Sequence, residues 1–133
     1  MSRPRDGLIL AIATDDGKHL IKRHFGDAES YLIYQLTEKD CVYLKNVENR
    51  SEEEQTHADP VKAGNIARIL KEDGVQILAS RAFGPNIKRM IKKFACILVN
   101  EESIAQGLDK MKRNYSDILN KWDNGSERSH LKI

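Results

Sequence analysis

The sequence predicts an α/β domain: a mixed sheet with parallel strands at its heart and helices packed on it. Three observations predict it. An early run, residues 8–13, is apolar without interruption, as in a strand covered on both faces. Two β-prone runs separated by four polar residues follow, as in a hairpin. Beyond them strand-like and helix-like segments alternate, giving the order β, β, β, α, β, α, β, α and hence a sheet sandwiched by helices.

Taken in order, Leu8, Ile9, Leu10, Ala11, Ile12 and Ala13 form the first strand, closed by the turn signal Asp15-Asp16-Gly17. Residues 31–36 and 41–47 are the hairpin strands, joined by Thr37-Glu38-Lys39-Asp40. Residues 48–59 hold five acids against Arg50 and lack an apolar period, which predicts a mobile surface loop. Asp59-Pro60 reads as an N-cap followed by proline at the first helical position, and Gly74 as the stop. Ala63, Ile66, Ala67 and Leu70 carry the helical spacing between them.

Residues 75–79 read as the fourth strand. Gly84-Pro85 opens a second helix with Ile87, Met90, Ile91 and Phe94 on one face and Lys88, Arg89, Lys92 and Lys93 on the other. Residues 95–99 form the fifth strand, and Asn100 with Glu101 and Glu102 caps a third helix running through Ile104, Leu108, Met111, Tyr115 and Ile118. Residues 1–120 are thus expected to be a single domain, and residues 121–133 a polar, mobile tail that frays.

Composition narrows the function classes. The chain has 133 residues and a net charge of +2, so only local clustering could support nucleic-acid or anionic-membrane binding. With 40% hydrophobic residues it can build a core without disulfides or a structural metal. Its longest apolar run is far below the roughly 20 residues of a membrane span, and residues 1–6 lack a secretory pattern. Cys41 and Cys96 form neither a disulfide framework nor a CxxC pair. A membrane protein, a secreted knot and a zinc finger are therefore excluded, and a reducing cytoplasm is the expected setting.

Two segments could carry chemistry. His24-Phe25-Gly26 lies on the loop leaving the first strand, where α/β sheets place ligands, and imidazole is a common metal ligand. The opposing reading is a surface histidine anchored by Phe25. Ser80-Arg81-Ala82-Phe83-Gly84-Pro85 joins the fourth strand to its helix; glycine permits close backbone approach, and Arg81 with a helix N-terminus suits an anion. An ordinary strand-to-helix turn would also explain it. Cys96 reads as core and Cys41 as a second candidate metal ligand, while His19, His57 and His130 read as surface residues. The five basic residues from Arg81 to Lys93 include no acid and no interleaved aromatic on the charged side, so they read as a solvated face and nucleic acid is disfavoured.

These segments, in this order, resemble the dinitrogenase iron–molybdenum cofactor biosynthesis proteins, a family that includes NifX, the C-terminal part of NifB and the core of NafY. The resemblance runs over residues 8–112. It rests on the first strand with Asp15-Asp16-Gly17, on His24-Phe25-Gly26-Asp27-Ala28, on the strand at 31–36, and on the helix–strand–loop ending in Phe83-Gly84-Pro85. It implies a ribonuclease-H-like three-layer sandwich: a five-stranded mixed sheet of order 3-2-1-4-5 with strand 2 antiparallel and helices on both faces.

In that fold His24, Phe25 and Gly26 would face Arg81, Phe83 and Gly84 across one cleft. The resemblance further implies a non-enzymatic carrier of an iron–sulfur or iron–molybdenum-type cluster, with cluster donor and acceptor proteins as partners. Two alternatives stand beside it. One is a small interaction or regulatory module using the basic face. The other is a ribonuclease-H-like nuclease, which would need acids on neighbouring strands beyond Asp15 and Asp16.

Overall fold

The computed structural model describes residues 7–49 and 60–133. Its frame is a mixed sheet of six strands in the order β3-β2-β1-β4-β5-β6. The strands are β1 (Leu8–Thr14), β2 (Ser30–Leu36), β3 (Cys41–Glu48), β4 (Ile77–Ser80), β5 (Ala95–Leu98) and β6 (Leu131–Lys132). Strand β2 is antiparallel to both β1 and β3, with Leu8 opposite Leu36 and Thr14 opposite Ser30; β1, β4, β5 and β6 run parallel. Thr37 closes the hairpin by donating its backbone N–H to the Asp40 carbonyl and accepting the Asp40 N–H at its hydroxyl.

Strand alternation builds two apolar layers. Ala11, Ala13, Leu78 and Cys96 face one side, covered by α1 (Pro60–Glu72), by α2 (Ile87–Met90) and by a 3-10 turn (Phe25–Asp27). Leu10, Ile12, Ile77, Ala79 and Ile97 face the other, covered by α3 (Ile104–Arg113) and α4 (Tyr115–Asp123). Helix α1 stops where expected. Gly74, at φ +83°, donates to the Lys71 carbonyl while Val75 donates to Leu70, a paired closure that needs a left-handed residue at this position.

Three local expectations change. The second helix is one turn long, and the carbonyls beyond it are met by side chains, Ile91 and Lys92 by Arg128 and Lys93 by Lys71. The third helix divides at Asn114, whose side-chain amide donates to the Lys110 carbonyl while its backbone sits at φ −105°, ψ 20°, outside the helical range. Its N-cap is Ser103, whose hydroxyl accepts the Gln106 N–H, rather than Asn100.

The C-terminal stretch expected to fray instead adds the sixth strand. Arg128 is buried and donates to the carbonyls of Lys121 and Trp122 as well as Ile91 and Lys92, joining the end of α4 to the turn before β5. Ile133 then exchanges backbone hydrogen bonds with Leu98 and Asn100. Residues 50–59 of the acidic stretch, His57 included, lie outside the described residues.

Candidate functional site

Neighbouring strands β1 and β4 run parallel, with Ile12 beside Ala79, so the loops after them leave the sheet at the same end. They interlock residue by residue. Phe25 stacks on Phe83, with ring centroids 5.4 Å apart and an interplanar angle of 17°. One position along in each loop, the His24 imidazole lies on the backbone of Gly84. A Cβ at residue 84 would fall 2.6 Å from the ring Cγ and 2.7 Å from Cε1, and Gly84 also has φ +76°. Glycine is therefore required here twice, by space and by conformation.

Residues expected to form one cleft thus separate into two roles. Phe25 and Phe83 are buried and fasten the loops together, and Tyr31 supports Phe25 by donating its hydroxyl to the Phe25 carbonyl at 2.9 Å. His24 is exposed, Gly26 has open space beside its Cα, and Arg81 is half-buried. Neither the His24 ring nor the Arg81 guanidinium has a hydrogen-bond or ion-pair partner among the described residues. At the base of the same loop Ser80 is fully buried, its hydroxyl unpartnered among the described residues.

Asp15, read from the sequence as part of a turn and as a candidate nuclease acid, holds the His24 loop together with Arg23 and Asn49. Arg23 grips Asp15 through two guanidinium nitrogens at 2.7 and 3.0 Å and also donates to the Asp27 carbonyl. Asp15 accepts the Glu29 N–H as well. The Arg23 hydrogen bond is the main reason the Asp15 carboxyl titrates below its usual range. Asn49, just past β3, donates its amide to the carbonyls of Gly26 and Ala28.

Asp16 accepts from the backbone of Lys18 and His19 and lies 2.6 Å from the His19 Nδ1, contacts that hold it far below the ordinary carboxylate range. His19 is therefore an oriented imidazole rather than a loose surface one. Its signal in the sequence was only the three-residue spacing from Asp16.

Cys41 does not join this group. It begins β3 opposite Leu36, at the other end of β1, and packs with the opposite core layer; its thiol points to the Leu108 carbonyl at 3.8 Å. Burial raises the Cys41 thiol above its usual range and pushes Cys96 up to about 12, so both are held as thiols at neutral pH. No three His, Cys, Asp or Glu side chains converge into a metal-holding group among the described residues. Nor is any described helix long and apolar enough to cross a membrane.

Solved structures share the architecture. A crystal structure from Methanocaldococcus jannaschii, of a protein with a provisional dinitrogenase name, superposes with a TM-score of 0.55 at 15% identity, covering 82% of this chain and 91% of that one. An NMR structure of a protein so named from Methanococcus jannaschii gives 0.54 at 15% identity, covering 81% and 89%. At that identity the likeness is one of fold. No curated protein matches the sequence. The family model described as dinitrogenase iron-molybdenum cofactor matches residues 7–114, a span that contains both interlocked loops and every strand except β6, and the chain belongs to that family.

Proposed function

We propose that this protein binds and carries an anionic iron–sulfur or molybdenum-containing cluster during metallocofactor assembly, with His24 as its ligand. The family points to iron–molybdenum cofactor biosynthesis, and the observation that carries the reading is the His24 imidazole seated on Gly84. The seat fixes the ring while leaving it exposed and without a competing hydrogen bond among the described residues. Imidazole is a borderline-soft donor suited to iron, and unpaired Arg81 supplies charge to a thiometallate or sulfide-rich anion. The chemistry is reversible ligation, which suits hand-off between donor and acceptor proteins.

The one-turn α2 is too short for its dipole to matter much, so Arg81 is the cation this reading depends on. Cys41, at the opposite end of β1, is set aside as a co-ligand. The nuclease reading is weakened because Asp15 is taken by Arg23 and Asp16 by His19 and the backbone. For the fold, we read strands β3-β2-β1-β4-β5 as a ribonuclease-H-like core with β6 added; the strand order and the antiparallel β2 support that reading.

The test is anaerobic reconstitution with iron, sulfide and molybdate or tetrathiomolybdate, followed by absorption spectra and metal analysis. Wild type should retain colour and metal, and His24→Ala should lose them. Wild type that stays colourless and metal-free would overturn the carrier reading, and equal retention in both proteins would move the ligand away from His24.

A further inference from the structure

Between Asp73 and Glu101 the chain has no acidic residue, yet it carries Arg81, Lys88, Arg89, Lys92 and Lys93. The rest of the chain has an excess of acid, so charge is segregated within a protein whose net charge is only +2. Elsewhere on the described surface many cations are paired: Arg23 with Asp15, Lys45 with Asp73, Arg68 with Glu72, Lys110 with Glu101 and Arg113 with Asp109. Lys88, Arg89, Lys92 and Lys93 are all exposed, and none has an ion-pair partner among the described residues.

The backbone that displays them is held from behind by two more cations. Lys71 donates to the Lys93 carbonyl at 3.1 Å, and Arg128 donates to Ile91 and Lys92 at 3.1 and 3.2 Å. Both stack on Trp122, with Arg128 4.3 Å and Lys71 5.5 Å from the ring centre. Like-charge crowding there adds to burial in disfavouring the protonated Lys71. A fixed, unneutralised positive surface attracts and orients a partner of opposite sign more than it stabilises the fold.

We infer that Lys88, Arg89, Lys92 and Lys93 form a docking surface for a carboxylate-rich segment of a partner protein. Charge complementarity selects an acidic occupant, and two features favour protein over nucleic acid. Phe83 and Phe94 are buried and Trp122 is held between cations, so no ring in this stretch is free to stack on a base. The acidic remainder of the chain would also repel a long polyanion. The surface begins at Lys88, just beyond the Arg81–Gly84 loop in the chain. This inference stands apart from cluster binding and is tested without metal.

The test uses the full chain and a fluorescent ten-residue oligoglutamate peptide as probe, with single-stranded DNA of the same length as competitor. Anisotropy should show peptide binding at low salt that weakens as salt shortens the Debye length. K88E/R89E/K92E should weaken binding at least 10-fold, whereas K18E/K39E/K132E, with the same change in net charge, should change it less than 2-fold. Circular dichroism checks that both variants fold; should K88E/R89E/K92E not fold, K88Q/R89Q/K92Q replaces it. Equal effects of the two variants, no peptide binding at low salt, tighter binding of the DNA, or salt-dependent self-association that excludes the peptide would each overturn the inference.

Discussion

Residues 15–29 and residues 81–94 leave parallel neighbours at the same end of the sheet, and they are built by opposite means. In the first loop the polar side chains that flank His24 in the fold are tied to one another and to the backbone: Asp15 to Arg23 and the Glu29 N–H, Asp16 to His19 and the backbone, with Asn49 reaching in to Gly26 and Ala28. In the second, the backbone is gripped from outside by Lys71 and Arg128, while the loop's own cations remain free of ion pairs among the described residues. One loop uses Asp15, Asp16 and Arg23 to fix its own shape around an imidazole; the other leaves its cations without ion pairs among the described residues. The contrast teaches that a ligand needs fixed geometry, whereas an attracting field needs only sign and proximity.

The most damaging way to break this arrangement is Gly84→Ala, which combines a left-handed backbone with overlap of the His24 ring. Unfolding free energy should fall by about 2 kcal/mol or more, read by thermal denaturation, and the His24 ring resonances should shift. Unchanged His24 resonances would mean the two loops do not meet as described. Asn49→Ala leaves the Gly26 and Ala28 carbonyls without that donor and should cost about 1–2 kcal/mol. Urea denaturation reads the loss, and hydrogen exchange should speed up across residues 24–28 but not across 81–84.

The acid dependence of stability sharpens the same contrast. Asp15 has a folded pKa below its unfolded value, so its contribution is complete above the carboxylate range and is lost as pH falls through the folded pKa. Below about pH 4, stability should therefore decline less steeply in Asp15→Asn than in wild type, as followed by circular dichroism; an unchanged slope would show that the Arg23 clamp is not formed. The smallest effect belongs to the second loop's base. Ser80→Ala removes a buried hydroxyl without a partner among the described residues and should be neutral or stabilising by up to about 1 kcal/mol. A marked destabilisation would reveal a partner for that hydroxyl.

Where a segment's conformation follows from its own residues, it was legible. The unbroken run in β1, the polar four-residue turn of the hairpin, and α1 stopping at Gly74 are local patterns. What depends on distant partners was not. Nothing near Arg128 announces that it will satisfy four carbonyls on two other segments, so the tail was expected to fray and β6 was missed. The same donors meet the carbonyls just beyond α2, a helix that apolar spacing alone extends to Phe94. Asn114 breaks the long helix through a single side-chain bond that periodicity cannot register.

For the site, His24 and Gly84 were each visible as a residue type on a loop, and only the family resemblance brought them together. Their contact depends on β1 lying beside β4, a tertiary fact. Asn49 carried no signal, because an asparagine after a strand is ordinarily just the start of a loop.

The central claim is that the His24 and Arg81–Gly84 loops form a single site for an anionic thiometallate. Titration of the isotopically labelled protein with tetrathiomolybdate, followed residue by residue by NMR, tests it most directly. The amides of residues 24–26 and 81–84 should shift together with one apparent affinity, weakened in Arg81→Ala and lost in His24→Ala. Shifts centred on Cys41 or on the Asp16–His19 turn, or two loops responding with different affinities, would contradict it.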